Sequence, residues 1–145
     1  MFGFFKKKAK AAARDIAKFE KKDLMEATVG IAILVMYADG DASDAERAKV
    51  QKLLDNTPAL ANYGAEVGAT YARFDSLLRD VGMLAGRSQI MREIGQCQGD
   101  KHEMEDVLVA GLTVALADGE MDEKEEKILK DVAQLFGLRL ESFLA

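Results

Sequence analysis

The stretch DVLVAGLTVALADGEMDEKEEKILK (residues 106–130) decides how the chain is read, because ATVGIAILVMYADGDASDAERAKVQKLLD (residues 27–55) follows the same plan. At one constant offset Ala38-Asp39-Gly40 falls on Ala117-Asp118-Gly119, Asp41 on Glu120, Ser43 on Asp122, Asp44 on Glu123 and Glu46 on Glu125. Each copy is a run of small and branched apolar residues ending in Ala-Asp-Gly. An acidic turn follows, then a charged run whose apolar positions recur at helical spacing. The pattern is a helix–acidic loop–helix unit present twice, as an internal repeat over residues 27–55 and 106–136.

Elementary chemistry builds most of each loop. Gly40 and Gly119 can take the left-handed conformation that ends a helix. Ser43 with Glu46, and Asp122 with Glu125, have capping-box spacing. Asp44, Glu123 and Glu126 put negative charge in the same first turns, where the helix field favours it. Asp39 and Asp118 are different, because they lie at the C-terminal end of a helix, where a carboxylate faces the wrong pole. Asp41 and Glu120 add to the repulsion. Both loops therefore call for a positive charge from somewhere else.

With 145 residues, 49% hydrophobic and 31% charged, the chain is long enough for one domain and is globular in composition. The single cysteine, Cys97, excludes an intrachain disulfide and a four-cysteine zinc site, and suits a reducing cytoplasm. The single histidine, His102, argues against His-rich metal chemistry. With one proline and no alternating runs between hairpin dipeptides, the expected fold is all-α, a single domain of about seven helices.

The net charge of −5 conceals a split. Residues 1–22 hold eight Lys/Arg against two acids, a net of +6, which leaves −11 on the rest. Residues 100–126 alone carry ten acids against two lysines, and an acidic body is a poor nucleic-acid binder. Residues 1–22 form a basic amphipathic N-terminal segment, with Phe2, Phe5, Ala9, Ala12, Ile16 and Phe19 as an apolar stripe. It is not a secretory signal, since charges interrupt it. Such a segment can rest weakly on an anionic membrane surface or a partner, or pack on the body. Residues 23–145 are the helical domain.

Along that domain, helices are expected over 24–38, 43–55, 65–81, 87–97, 101–117 and 122–136, with a short turn from Thr57 to Tyr63 and a short final helix over 139–144. The uncharged runs from Val29 to Tyr37 and from Val107 to Ala117 mark two core helices, each too short to span a bilayer. Expected core positions include Ala48, Val50, Leu53, Leu54, Val67, Tyr71, Phe74, Leu77, Leu78, Val81, Ile90, Ile94, Leu129, Val132, Leu135, Phe136 and Leu144.

Asp39 with Asp41, and Asp118 with Glu120 and Asp122, resemble the opening of a calcium-binding loop. Hard cations such as Ca²⁺ or Mg²⁺ want oxygen ligands at this density. Neither stretch is an EF-hand. The turn glycine is replaced by Asp44 or Glu123, and the closing glutamate by Val50 or Leu129. A site would have to gather ligands from both loops, with Glu103, Glu105 or Asp106 joining if their helix end lies close. Enzyme readings find little. The serines lack a histidine partner, Cys97 and His102 straddle a helix break, and no phosphate-cradling glycine loop exists.

The doubled Ala-Asp-Gly-x-x-[Ser/Asp]-x-x-Glu pattern, ADGDASDAE at 38–46 and ADGEMDEKE at 117–125, resembles the TerB-like family. The N-terminal Phe/Lys segment, the chain length and VAQLFGLRLESFL (132–144) extend the likeness to nearly the whole chain. The resemblance implies an all-helical, non-enzymatic module of a tellurite-resistance or stress-response system in bacteria or phage. It implies a protein that is either cytoplasmic or membrane-associated, the latter as peripheral contact at the inner membrane face through residues 1–22. Its acidic positions fall on Asp39, Glu46, Asp118, Asp122 and Glu125, proposed ligands of Ca²⁺ or a similar ion. Ser43 stands where the second loop has Asp122, so the first loop has one carboxylate fewer. Expected partners are other proteins of a resistance or stress complex, without nucleic acid. Oligomeric state is left open. The alternatives are a metal-independent acidic adaptor for a basic partner and, behind it, an enzyme acting on a small oxyanion.

Overall fold

Helix α1, Lys22–Met36, runs through the middle of the molecule, and Leu24 through Met36 are buried apart from half-buried Glu26. Its Val and Ile side chains lower helix propensity, so packing must supply what propensity does not. Fully burying each of Ile31, Ile33, Leu34 and Val35 stabilises the fold by roughly 1.5–3 kcal/mol. The computed structural model describes residues 22–97 and 100–144. The basic segment expected over residues 1–22 lies outside them except for Lys22.

Six further α-helices follow α1 among the described residues: α2 Asp44–Asp55, α3 Ala65–Ser76, α4 Met83–Gly95, α5 Lys101–Ala115, α6 Glu123–Leu135 and α7 Glu141–Leu144. A short 3₁₀ turn, Pro58–Leu60, and a π-helical turn, Leu77–Val81, complete the described elements. The fold is all-α and single-domain, with α1 packing on α5, α4, α3, α2 and α6. Glycine allows close approach at two of α1's crossings. A Cβ on Gly111 of α5 would stand 2.7 Å from Ile31 Cδ1 and 2.8 Å from Leu129 Cδ2, and one on Gly30 would stand 3.1 Å from Ile90 Cγ2. The α1–α5 contact therefore depends on a missing side chain.

Several expected details are corrected. The helix expected over 65–81 changes to a π turn after Ser76. The wider turn shifts the phase of the apolar stripe. Leu78 stays buried at 3% exposure, but Val81, expected in the core, is carried out to 60%. Helix α4 begins at Met83 rather than Arg87, directly after Gly82, whose φ of 110° ends the preceding turn. Ala48, Leu135 and Leu144, also expected inside, are exposed. Leu135 and Leu144 sit at helix ends, where fewer neighbours can cover them.

Candidate functional site at the paired acidic loops

The two acidic loops are built alike. Gly40 and Gly119 have φ of 99° and 101°, and their N–H groups donate to Tyr37 and Leu116 carbonyls at 2.8 and 2.9 Å. Ser43 Oγ accepts from Glu46 N at 3.1 Å while Glu46 Oε1 accepts from Ser43 N at 3.2 Å. Asp122 Oδ1 accepts from Glu125 N at 2.8 Å and Glu125 Oε1 from Asp122 N at 3.1 Å. Both capping boxes expected from spacing are formed.

The loops meet. Asp39 and Glu46 from one, and Asp118, Asp122 and Glu125 from the other, line a single cavity of about 150 Å³ over an apolar floor that includes Val35, Val50, Leu53 and Val114. Crossing α1 and α5 at Gly111 brings their C-terminal ends together, and the loops with them. Asp41 and Glu120, the other two candidate ligands, are exposed and do not line this cavity. Asp41 Oδ1 instead accepts from Ala42 N at 2.8 Å. Glu103 and Glu105 do not line it either, and Asp106 lines a different groove, near Leu24 and Pro58.

Five carboxylates thus face one ammonium, that of Lys49. Lys49 Nζ donates to Asp118 Oδ1, so the first unit supplies the positive charge that the second loop's helix end calls for. The sequence reading missed Lys49. Its signal was a position one helical turn after Glu46, where the second unit has buried Ile128. Hence Asp39 has no equivalent lysine. Among the described residues its Oδ1 accepts the Asp41 N–H alone, at 3.3 Å. Partial burial pushes the Glu125 carboxyl up from its ordinary value. The Asp122 N–H bond pulls it back, while the charges of Asp122 and Asp118 push further up.

Donor chemistry here fits a hard divalent ion: all oxygen, excess negative charge, and one oxygen of Glu46, Glu125, Asp39, Asp118 and Asp122 without a hydrogen bond among the described residues. Among the described residues no three of His, Cys, Asp and Glu are grouped to hold a metal ion as placed.

A second polar cluster, also missed, borders the first loop. Arg47 Nη2 donates to Tyr37 Oη at 2.6 Å and Arg47 Nε to Asp75 Oδ1 at 3.3 Å, while Tyr37 Oη donates to Asp75 Oδ1. Arg79 Nε lies 3.4 Å from Asp75 Oδ2 and Arg47 Nη1 3.5 Å from Asp44 Oδ1. Burial raises the Tyr37 hydroxyl pKa, and its bond to Asp75 raises it further. Cys97 is a buried thiol pushed up to about 11, chiefly by burial, and His102 is exposed.

Among the described residues, no helix is long and apolar enough to cross a membrane. No curated protein and no solved structure matches the chain. A family model does, the one described as Tellurite resistance protein TerB, over residues 25–145. That match covers the helical domain with both acidic loops, and the chain belongs to the TerB family.

Proposed function

We propose that this TerB-family chain is a non-enzymatic, divalent-cation-binding module of a tellurite-resistance or stress-response system. The carrying observation is the single cavity shared by Asp39, Glu46, Asp118, Asp122 and Glu125, with Lys49 as its one cation. In this reading the two helix–loop–helix units are copies of one design. Asp39, Asp118 and Asp122 would hold Ca²⁺ or Mg²⁺, with Glu46 and Glu125 adding their second oxygens. Bound there, the ion would neutralise Asp39 and Asp118, which their helix ends disfavour, and relieve the repulsion among all five carboxylates. Asp118 would exchange the Lys49 ammonium for it. Asp41 and Glu120 would contribute to the local field.

Calorimetric and NMR titration of the chain with Ca²⁺ and Mg²⁺ tests this. The expected result is a saturable shift of Asp39–Ala42 and Asp118–Met121 amides, lost in the double variant Asp39→Asn/Asp118→Asn. Unmoved amides at millimolar ion would overturn it.

A second reading is favoured by the Lys49–Asp118 pair itself, since an ammonium already sits where an ion would. A lysine or arginine of a partner protein could then dock on the same carboxylates without metal. Binding of a basic peptide in excess chelator, abolished by Asp118→Lys, would favour this adaptor role. In either case the location we propose is the cytoplasm. There the basic residues of 1–22 would add about 1 kcal/mol each near an anionic inner-membrane surface.

A further inference from the structure

The Tyr37–Arg47–Asp75 cluster makes the two loops mechanically unequal. Tyr37 directly follows α1, two residues before Asp39, and Arg47 immediately follows Glu46, so the cluster grips the first loop on both sides. Its third member, Asp75, belongs to α3 and has a side chain only 11% exposed. Arg47 also lies over the Tyr37 ring, 5.6 Å from its centroid. At the matching positions of the second unit stand Leu116, 41% exposed, and Glu126, neither of which can make these bonds. The first loop has internal bonds as well, from Asp41 N to Asp39 and from Ala42 N to Asp41, and Ala42 is sunk in the core. Among the described residues the N–H groups of Glu120 and Met121 make no such bonds. The second loop's carboxylate tie to the first unit is the well-exposed Lys49–Asp118 pair.

We propose that Tyr37, Arg47 and Asp75 are the positioning residues of the cation site. They fix Asp39 and Glu46 as its rigid half and leave the 117–122 loop as the half that moves. The inference rests on the cation reading above. Turn and capping bonds are common to both loops; beyond them, displacing the first loop strains buried and part-buried charge-assisted bonds, whereas displacing the second releases one solvated contact. The site is then half template and half clasp.

Amide exchange measured by NMR on the full chain in chelator, for wild type and Tyr37→Phe, tests the inequality without any ion. Asp41 and Ala42 should exchange roughly tenfold more slowly than Glu120 and Met121 in wild type, the factor expected for about one bond to a charged group. Tyr37→Phe should erase most of that difference, leave the α5 and α6 core amides protected, and weaken Ca²⁺ binding roughly tenfold by calorimetry. Asp75→Asn should act in the same direction. Equal exchange of the two loops in wild type would overturn the proposal. So would a Tyr37→Phe chain with unchanged first-loop exchange and Ca²⁺ affinity, or one whose core loosens uniformly. A wild-type chain that binds no Ca²⁺ yet keeps the exchange contrast would overturn the cation reading, while supporting Tyr37, Arg47 and Asp75 as the first loop's anchor.

Discussion

Replacing Lys49 by Met removes the cavity's one positive charge while keeping an unbranched stem over its apolar floor. Two opposite effects follow. The Lys49–Asp118 pair is solvated, with side chains 45% and 85% exposed, so its loss should cost less than about 1 kcal/mol in chelator. That corresponds to a fall in Tm of at most roughly 4 °C for a chain of this size. A divalent ion about 5 Å from an ammonium, by contrast, is repelled by about 1.7 kcal/mol even at the dielectric constant of water. Removing the ammonium should therefore tighten Ca²⁺ binding roughly fifteenfold at low salt. Screening at physiological ionic strength should reduce the gain to a few-fold. Calorimetry with Ca²⁺ at two salt concentrations, beside melts with and without chelator, reads both effects. The chelated variant should melt lower than wild type, and its ion-induced rise in Tm should be larger. Unchanged or weaker Ca²⁺ binding would refute the reasoning, because an ammonium bonded to a ligand carboxylate must compete with the ion.

Glu125→Gln keeps a residue that can complete the capping box but removes the crowded charge. The native Glu125 carboxyl holds its proton more tightly than the unfolded chain does, so its contribution to stability is gained as pH falls toward the ordinary value of 4.5 and lost as pH rises through the raised one. The variant should flatten that window in urea-unfolding curves, gain a few tenths of a kcal/mol at pH 7 in chelator, and bind Ca²⁺ more weakly. Gly111→Ala gains up to about 1 kcal/mol of helix propensity but meets Ile31 Cδ1 at 2.7 Å. Overpacking at about 1–3 kcal/mol outweighs it, so the urea midpoint should fall, and loosening the α1–α5 crossing should weaken Ca²⁺ binding as well. Cys97, pushed up to about 11, should react with iodoacetamide at pH 8 more than about a hundredfold slower in the native chain than in urea.

Local chemistry was legible wherever a residue's role is settled by near neighbours in sequence. Ser43 with Glu46 and Asp122 with Glu125 formed their capping boxes because the partners are three residues apart. Gly40 and Gly119 took positive φ because the turn after each core helix requires it. The same locality explains the misses. Val81 fits helical spacing at every position, yet a π turn moved it out to solvent. Lys49 resembled any solvated lysine on a charged helix until α5 brought Asp118 to it. Asp75, an acid in the last turn of α3, gave no sign that Tyr37 and Arg47 would close on it from 38 and 28 residues away.

By itself, then, the sequence determined an all-helical chain with two like-built acidic bends and carboxylates at the unfavourable ends of two core helices. Periodicity, capping and helix polarity act over a few residues and are written in residue order. Only the tertiary structure decided that the bends face each other, that Asp41 and Glu120 stay outside the shared cavity, and that the first unit's lysine answers the second unit's charge. Those outcomes depend on how closely α1 and α5 approach at Gly111 and on which faces they then present. Such distances are set by packing among residues far apart in the chain.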